Sequence, residues 1–307
     1  MIKIQLEALV VPVLVVCLLF FHSHTFSQAD PLSLDNTPSE SVPVKEAFNS
    51  SYIINNQSSN VLEGGRLNFL ILHRFGELSD GSFNAYGLDY AAIRLGVEYG
   101  ITDRLTAGLG RSSVGKNYDS HLKFRLKTQT SGGVNNFPVS LVAFSSLAFS
   151  SAELHRQNLI QGQSQFINQL VYTTELIISR QFSEKFSFQL IPAVVHRNTV
   201  ASESDNHRVY ALSAGGRLKV SNRMHVVADY GYVFNNDNTL ENPVAMGFDI
   251  VTGGHTFQFY LTNSVGMIEK EFLTATTGKI SEGNIRIGFT VSRAFILKQK
   301  VKGGKIK

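Results

Sequence analysis

Between Asp89 and Ser113, apolar and polar positions alternate with a period of two. Ala91, Ile93, Leu95, Val97, Tyr99 and Ile101 share one face, with Arg94, Gly96, Glu98 and Gly100 on the other. After Thr102-Asp103-Arg104 the pattern resumes, Leu105, Ala107 and Leu109 opposing Thr106, Gly108, Gly110 and Ser112. Successive strand side chains point to opposite faces, so this spacing predicts a β-hairpin with one apolar and one polar surface.

The pattern recurs to the C-terminus. Further strands are expected at about Arg66–Phe75, His121–Gln129, Val139–Phe149, Phe166–Phe182, Phe186–His196, Arg208–Val220, Met224–Val233, Ala245–Thr252, His255–Asn263 and Asn284–Phe295. With the hairpin's own two strands, that makes about twelve. After even-numbered strands the connections are mostly tight: Thr102–Arg104, Ser183–Lys185, Ser221–Arg223 and Thr252–Gly254, with Thr130–Phe137 a longer member of the series. After odd-numbered strands they are polar stretches such as Gly76–Leu88, Val114–Ser120, Ser150–Gln165 and Ser264–Gly283. An even strand count, with short turns at one end and long loops at the other, is the signature of an outer-membrane barrel, the turns being periplasmic. The expected fold is therefore an all-β, antiparallel transmembrane β-barrel of about twelve strands.

Face assignments support this reading. Leu122, Phe124 and Leu126 would meet lipid, while His121, Lys123, Arg125 and Lys127 face the lumen; Ile285, Ile287, Phe289 and Val291 oppose Arg286, Gly288, Thr290 and Ser292. Two segments depart from the rule. Val139–Phe149 is apolar on both faces, and Pro192 within a strand removes a ladder hydrogen bond, which predicts a bulge or local opening. The chain has no Trp, so Tyr and Phe must supply any aromatic girdle.

The N-terminus reads as an export signal. Lys3 precedes an apolar stretch from Ala8 to Phe21, and Ser27-Gln28-Ala29 is a small-x-small cleavage site. The expected organisation is a signal peptide at 1–29, a Pro- and Ser-containing flexible periplasmic lead-in at 30–50, an outer-membrane barrel at 51–295 and a Lys-rich tail at 296–307. Cys17, the only cysteine, falls within the signal, so a mature chain has no thiol for a disulfide or a thiolate metal site. The net charge of +4 is spread along the chain, which gives nucleic-acid binding little support.

Compact catalytic signatures are missing. Gly110-Arg-Ser-Ser-Val-Gly115-Lys116-Asn117 approaches a phosphate-binding loop, but Asn117 replaces the magnesium-binding hydroxyl and no helix pattern follows, so it reads as a strand end entering an outer loop. His73, His121, His196, His225 and His255 lie on separate strands without zinc-site spacing. No G-x-S-x-G elbow accompanies the Ser and His residues. Catalytic residues, metal ligands and cofactors are accordingly not expected.

The chemistry is expected in the lumen. Arg94, Lys123, Arg125, Lys127, Arg217, Lys219 and Arg286 outnumber Glu98, Glu175, Asp229 and Asp249 on the inward face, a mildly positive field that in an open pore favours a small anionic solute. The competing reading is that these charges pair into a filled, rigid lumen, since twelve strands lie between filled and open barrel sizes.

Several strings resemble a known family. Tyr52-Ile-Ile-Asn-Asn-Gln-Ser58, His73-Arg-Phe-Gly76, Gly87 to Gly100, Asp103 to Ser113, Gly247 to Ser264 and Ile285 to Phe295 are similar to an outer-membrane barrel family, domain of unknown function 5777. The likeness spans most of the mature chain and implies a barrel in a bacterial outer membrane; it transfers no catalytic residue. The expected function is a non-enzymatic small-solute channel or binding barrel, in contact with the lipid bilayer. The alternatives are an envelope scaffold that docks a partner through its outer loops or Lys-rich tail, and a barrel hydrolase.

Overall fold

The computed structural model of the chain describes residues 40–44, 46–133, 136–153, 166–200, 205–234 and 240–298. The signal peptide expected at 1–29 and most of the Lys-rich tail lie outside the described residues. Twelve antiparallel strands close into a barrel. In chain order they are β1 (Arg66–Glu77), β2 (Ala91–Thr102), β3 (Leu105–Ser112), β4 (Asn117–Lys127), β5 (Ser140–Ser150) and β6 (Val171–Gln181). Then follow β7 (Phe186–Arg197), β8 (Arg208–Lys219), β9 (Met224–Val233), β10 (Val244–Thr252), β11 (His255–Thr262) and β12 (Arg286–Ile296). Each pairs with its sequence neighbour, and β12 returns to β1 through pairs such as Phe289 with His73, which closes the seam.

Alternation sets the two faces. In β2, Ile93, Leu95, Val97 and Tyr99 are exposed while Ala92, Arg94, Gly96 and Glu98 are buried, as the period of two predicts. The outward band continues through Leu122, Phe124, Phe248, Phe259 and Leu261, which is the surface a bilayer covers. Pro192 occupies β7 on this outward face, and the β6–β7 ladder lacks the pairs Leu176–Pro192 and Ile177–Ile191 while keeping the same register on either side. This is the local opening expected of a residue without an N–H.

The inside differs from a water-filled pore. The segment leading into β1 enters the barrel from the end bearing the tight turns, and Ala47–Ser59 is buried except for the half-buried Asn49. The stretch read as a flexible lead-in thus has its last residues, Ala47–Ser50, inside the lumen, and residues 51–61 fill the barrel rather than form its wall, while 62–65 cross the rim to β1. From the opposite end, the connection between β11 and β12 folds inward. It carries a short helix, Glu269–Phe272, and buries Met267, Ile268, Phe272 and Leu273. A loop expected to extend outward is therefore a second filling segment, because its apolar residues need cover that water cannot give.

Filling segments and wall share four buried apolar clusters. Ala47, Phe48, Ile53 and Ile54 pack on Val227, Ala245 and Tyr260. Tyr52 and Met267 meet Leu70, Leu72 and Ala92. Val61 meets Val142, Phe144, Ile177 and Ile191. Phe272 and Leu273 meet Val171, Val195, Val209 and Val233, among others. The two-faced apolarity of β5 has its cause here: Val142 and Phe144 point inward onto chain rather than water.

Candidate functional site: a plugged lumen

The plug is a tight hairpin, Ser50–Ser59, closed by the Ser58 N–H to Ser51 carbonyl bond (2.8 Å) and the Ile53 N–H to Asn56 carbonyl bond (2.9 Å). At its tip three consecutive N–H groups converge on one carboxylate. Ile54, Asn55 and Asn56 donate to Asp229 Oδ2 at 3.1, 2.7 and 3.1 Å, and the Asn55 side chain donates to Asp229 Oδ1 at 3.0 Å. Buried backbone amides must find acceptors, and β9 supplies one able to take several at once. The plug's carbonyls are met in the same way. Lys123 Nζ donates to Ser51 (2.8 Å), Gln189 to Gln57 (2.6 Å) and Gln258 to Ile53 (2.6 Å).

Glycines on the wall make the room. A Cβ at Gly215 would lie 2.4 Å from Ile53 Cδ1, and one at Gly110 would lie 2.3 Å from the Arg94 guanidinium. The large inward residues lie where a neighbouring strand carries no side chain.

The predicted lumen residues divide by depth. Arg94 is fully buried and forms a fork on Asp119, with Nε–Oδ1 at 3.0 Å and Nη2–Oδ2 at 2.5 Å. Glu98 accepts from Ser51 (2.5 Å) and Asn68 (2.9 Å) and lies 3.3 Å from His121 Nε2. Lys123, Glu175, Asp229 and Asp249 are buried with them, Asp249 accepting from Gln258 at 2.9 Å. Arg217 holds Asn49 Oδ1 at 3.0 Å. Arg125 binds the Glu46 carboxylate and the Val61 carbonyl near the periplasmic end.

Three residues stand apart from this central set. Lys127 lies past an irregularity between Arg125 and Lys127 in the β4–β5 register and is exposed, its ammonium 5.3 Å from the Phe137 ring. Lys219 is half-buried at the periplasmic end of β8. Arg286 pairs with Glu77 at 2.5 Å on the outer rim.

Arg74 and Asp119 on the wall join the buried charge set without having been among the sequence candidates. Arg74 is 0% exposed. Its Nη2 donates to Asn55 Oδ1 (2.7 Å), and its Nη1 donates to the carbonyls of Ser264 (3.0 Å) and Gly266. Its inward parity in β1 was a usable signal, as was that of Asp119 in β4; the contacts with plug and loop had no local mark. Glu269 on the inward loop accepts from Gln57 at 2.9 Å. Glu271 accepts from the Met267 N–H and from Asn117, both at 2.7 Å. Burial pushes both loop carboxyls above the usual carboxylate range, against these hydrogen bonds.

Above the inward loop lies an outer cavity of about 950 Å³. Val265, Gly266, Lys270, Glu271, Thr274 and Ala275 supply its floor, and Asn117, Ser150, Asn168, Arg197 and Thr199 line its sides.

Residues 48–295 match the family described as a membrane-bound beta barrel domain, domain of unknown function 5777. The chain belongs to this family. It is a protein of the bacterial outer membrane, and the matched range takes in the plug hairpin and the inward loop as well as all twelve strands. Among solved structures, the NanC porin aligns with 76% of this chain and 100% of its own, at 10% identity and a TM-score of 0.47. The KdgM porin aligns over 75% and 99%, at 9% identity and a TM-score of 0.44. An outer membrane channel from Pseudomonas putida F1 aligns over 77% and 97%, at 14% identity and a TM-score of 0.43. No curated protein matches the sequence.

Proposed function

We propose that this family member is a non-enzymatic, closed small-solute barrel: a polar solute binds in the outer cavity, and passage requires displacement of the plug. The observation that carries the reading is the cavity of about 950 Å³ at the outer mouth, whose floor is the loop joining β11 to β12, fastened to the rest of the barrel by hydrogen bonds and apolar packing. Its lining mixes amide and hydroxyl groups with Lys270 and Arg197, suited to a hydrogen-bonding solute.

With the plug displaced, the wall would present Arg74, Arg94, Lys123, Arg125 and Arg217 against Glu98, Asp119, Glu175, Asp229 and Asp249. Arg286 at the outer rim is balanced by Glu77, and Lys219 at the other end leaves a basic excess of a single charge, which favours anions weakly. Planar-bilayer recording tests this. The intact chain should conduct little, a plug-loosened variant should conduct, and reversing Arg125 and Arg217 to Glu should move its selectivity toward cations. A loosened variant that stays silent would remove the channel.

A scaffold role has one observation in its favour. Phe83 is 95% exposed and Tyr86 57% exposed on the outer connection between β1 and β2. Crosslinking of intact cells with and without Phe83→Ser would show whether that loop holds an envelope partner.

A further inference from the structure

We propose that the outer cavity and the plug are one coupled unit, so that an occupant arriving from outside changes the seating of a segment that enters the barrel from its periplasmic end. This takes the cavity from the closed-barrel reading above and adds a signalling role to it.

The inward loop is the cavity's floor, and the same loop is fastened to the plug. Gly266 lines the cavity, and its carbonyl is gripped by Arg74 Nη1. The other terminal nitrogen of that guanidinium holds Asn55 at the plug tip, 2.7 Å away. A second link runs from Gln57 of the plug to Glu269, which directly precedes the cavity residues Lys270 and Glu271. A third is apolar: Tyr52 of the plug and Met267 of the loop share one buried cluster.

Arg74 cannot replace a lost partner with bulk water, because it has no exposed surface. If the loop shifts, the guanidinium loses acceptors and its hold on Asn55 must change; if the plug leaves, the loop's carbonyls lose part of their anchor. Leaving a buried charged group short of partners is costly. The two segments therefore favour joint seating or joint release. Coupling of this kind is reciprocal: whatever binds the seated loop seats the plug, and whatever holds the released loop frees it. The fold places one partner of the pair toward the cell exterior and the other toward the periplasm.

The experiment uses the full chain in lipid vesicles, with Cys17 replaced by Ser, and reads amide hydrogen exchange separately in the plug and the loop. Asn55→Ala substitutes a residue of the plug and removes its Arg74 link, and Glu269→Ala substitutes a residue of the loop and removes its Gln57 link. Each should raise exchange in the other segment by about 5-fold or more, and the double variant should show less than the product of the two effects. As a surrogate occupant, Ala275→Cys carrying a bulky maleimide should change exchange at Tyr52–Ser58, while the same label at exposed Phe83→Cys should not.

Responses confined to the altered segment, together with an indifferent plug under the Ala275 label, would overturn the coupling. The solute reading fails separately. A coupled pair in a barrel that never conducts once loosened keeps the inference and discards the channel. Conduction without cross-response discards the inference and keeps the channel.

Discussion

The backbone nitrogen of Asn55 lies 2.7 Å from Asp229 Oδ2, so one wall carboxylate holds the turn of a hairpin that is not part of the wall. Asp229→Ala would leave three buried N–H groups without their acceptor, at about 1–3 kcal/mol for each unsatisfied group. The cost falls on plug docking, because the β8–β9 and β9–β10 ladders do not use that side chain. Faster hydrogen exchange at Ile54–Asn56 with unchanged heat-modifiable gel mobility is expected. Asp229→Asn should be milder, since its amide oxygen still accepts.

Ile53 fills the space that Gly215 leaves open. Ile53→Ala removes buried volume and should weaken plug docking by about 2–5 kcal/mol. Gly215→Leu attacks the same contact from the wall by occupying the Ile53 site. Both should raise bilayer conductance over the intact chain, and an unchanged trace in both, alongside faster hydrogen exchange in the plug, would remove the channel.

Leu95 is half exposed on the face assigned to lipid, while Arg94 beside it is fully buried. Leu95→Arg should destabilise the barrel by about 2–4 kcal/mol if the position sits near mid-membrane. Urea titration of refolding into vesicles measures this. A neutral result would place that face outside the bilayer.

The loop carboxyls Glu269 and Glu271 have their pKa raised by burial. A carboxyl that binds its proton more tightly in the seated loop than in the freed one favours seating most strongly below the ordinary value of about 4.3. That advantage is lost as pH rises through the raised value. Loop exchange, corrected for its intrinsic pH dependence, should therefore increase as pH rises from about 4.3 through the raised values. Glu269→Gln and Glu271→Gln should flatten the rise.

Much of the wall was legible because lipid outside and polar groups inside impose a strict period of two, as in β2, where each predicted facing matches burial. The position of Pro192 announced the gap in the β6–β7 ladder. The filling was not legible. Ser50–Ser59 is short and largely polar, and whether such a segment hangs in the periplasm or lies in a lumen depends on partners far away in sequence, such as Asp229. The inward loop carried a better hint, since Met267, Ile268, Phe272 and Leu273 are costly to leave in water. The apolar inner face of β5 was a third, read only as an irregularity. Arg74 shows the limit most clearly: parity aims it inward, but only the three-dimensional arrangement shows that it grips two segments at once.

The seam between β1 and β12 joins the first wall strand to the last, and the hairpin lies immediately upstream of that first strand. The hairpin is therefore tethered to the rim at the closing seam itself, and its displacement leaves it joined to the ring by the short stretch that leads into Arg66.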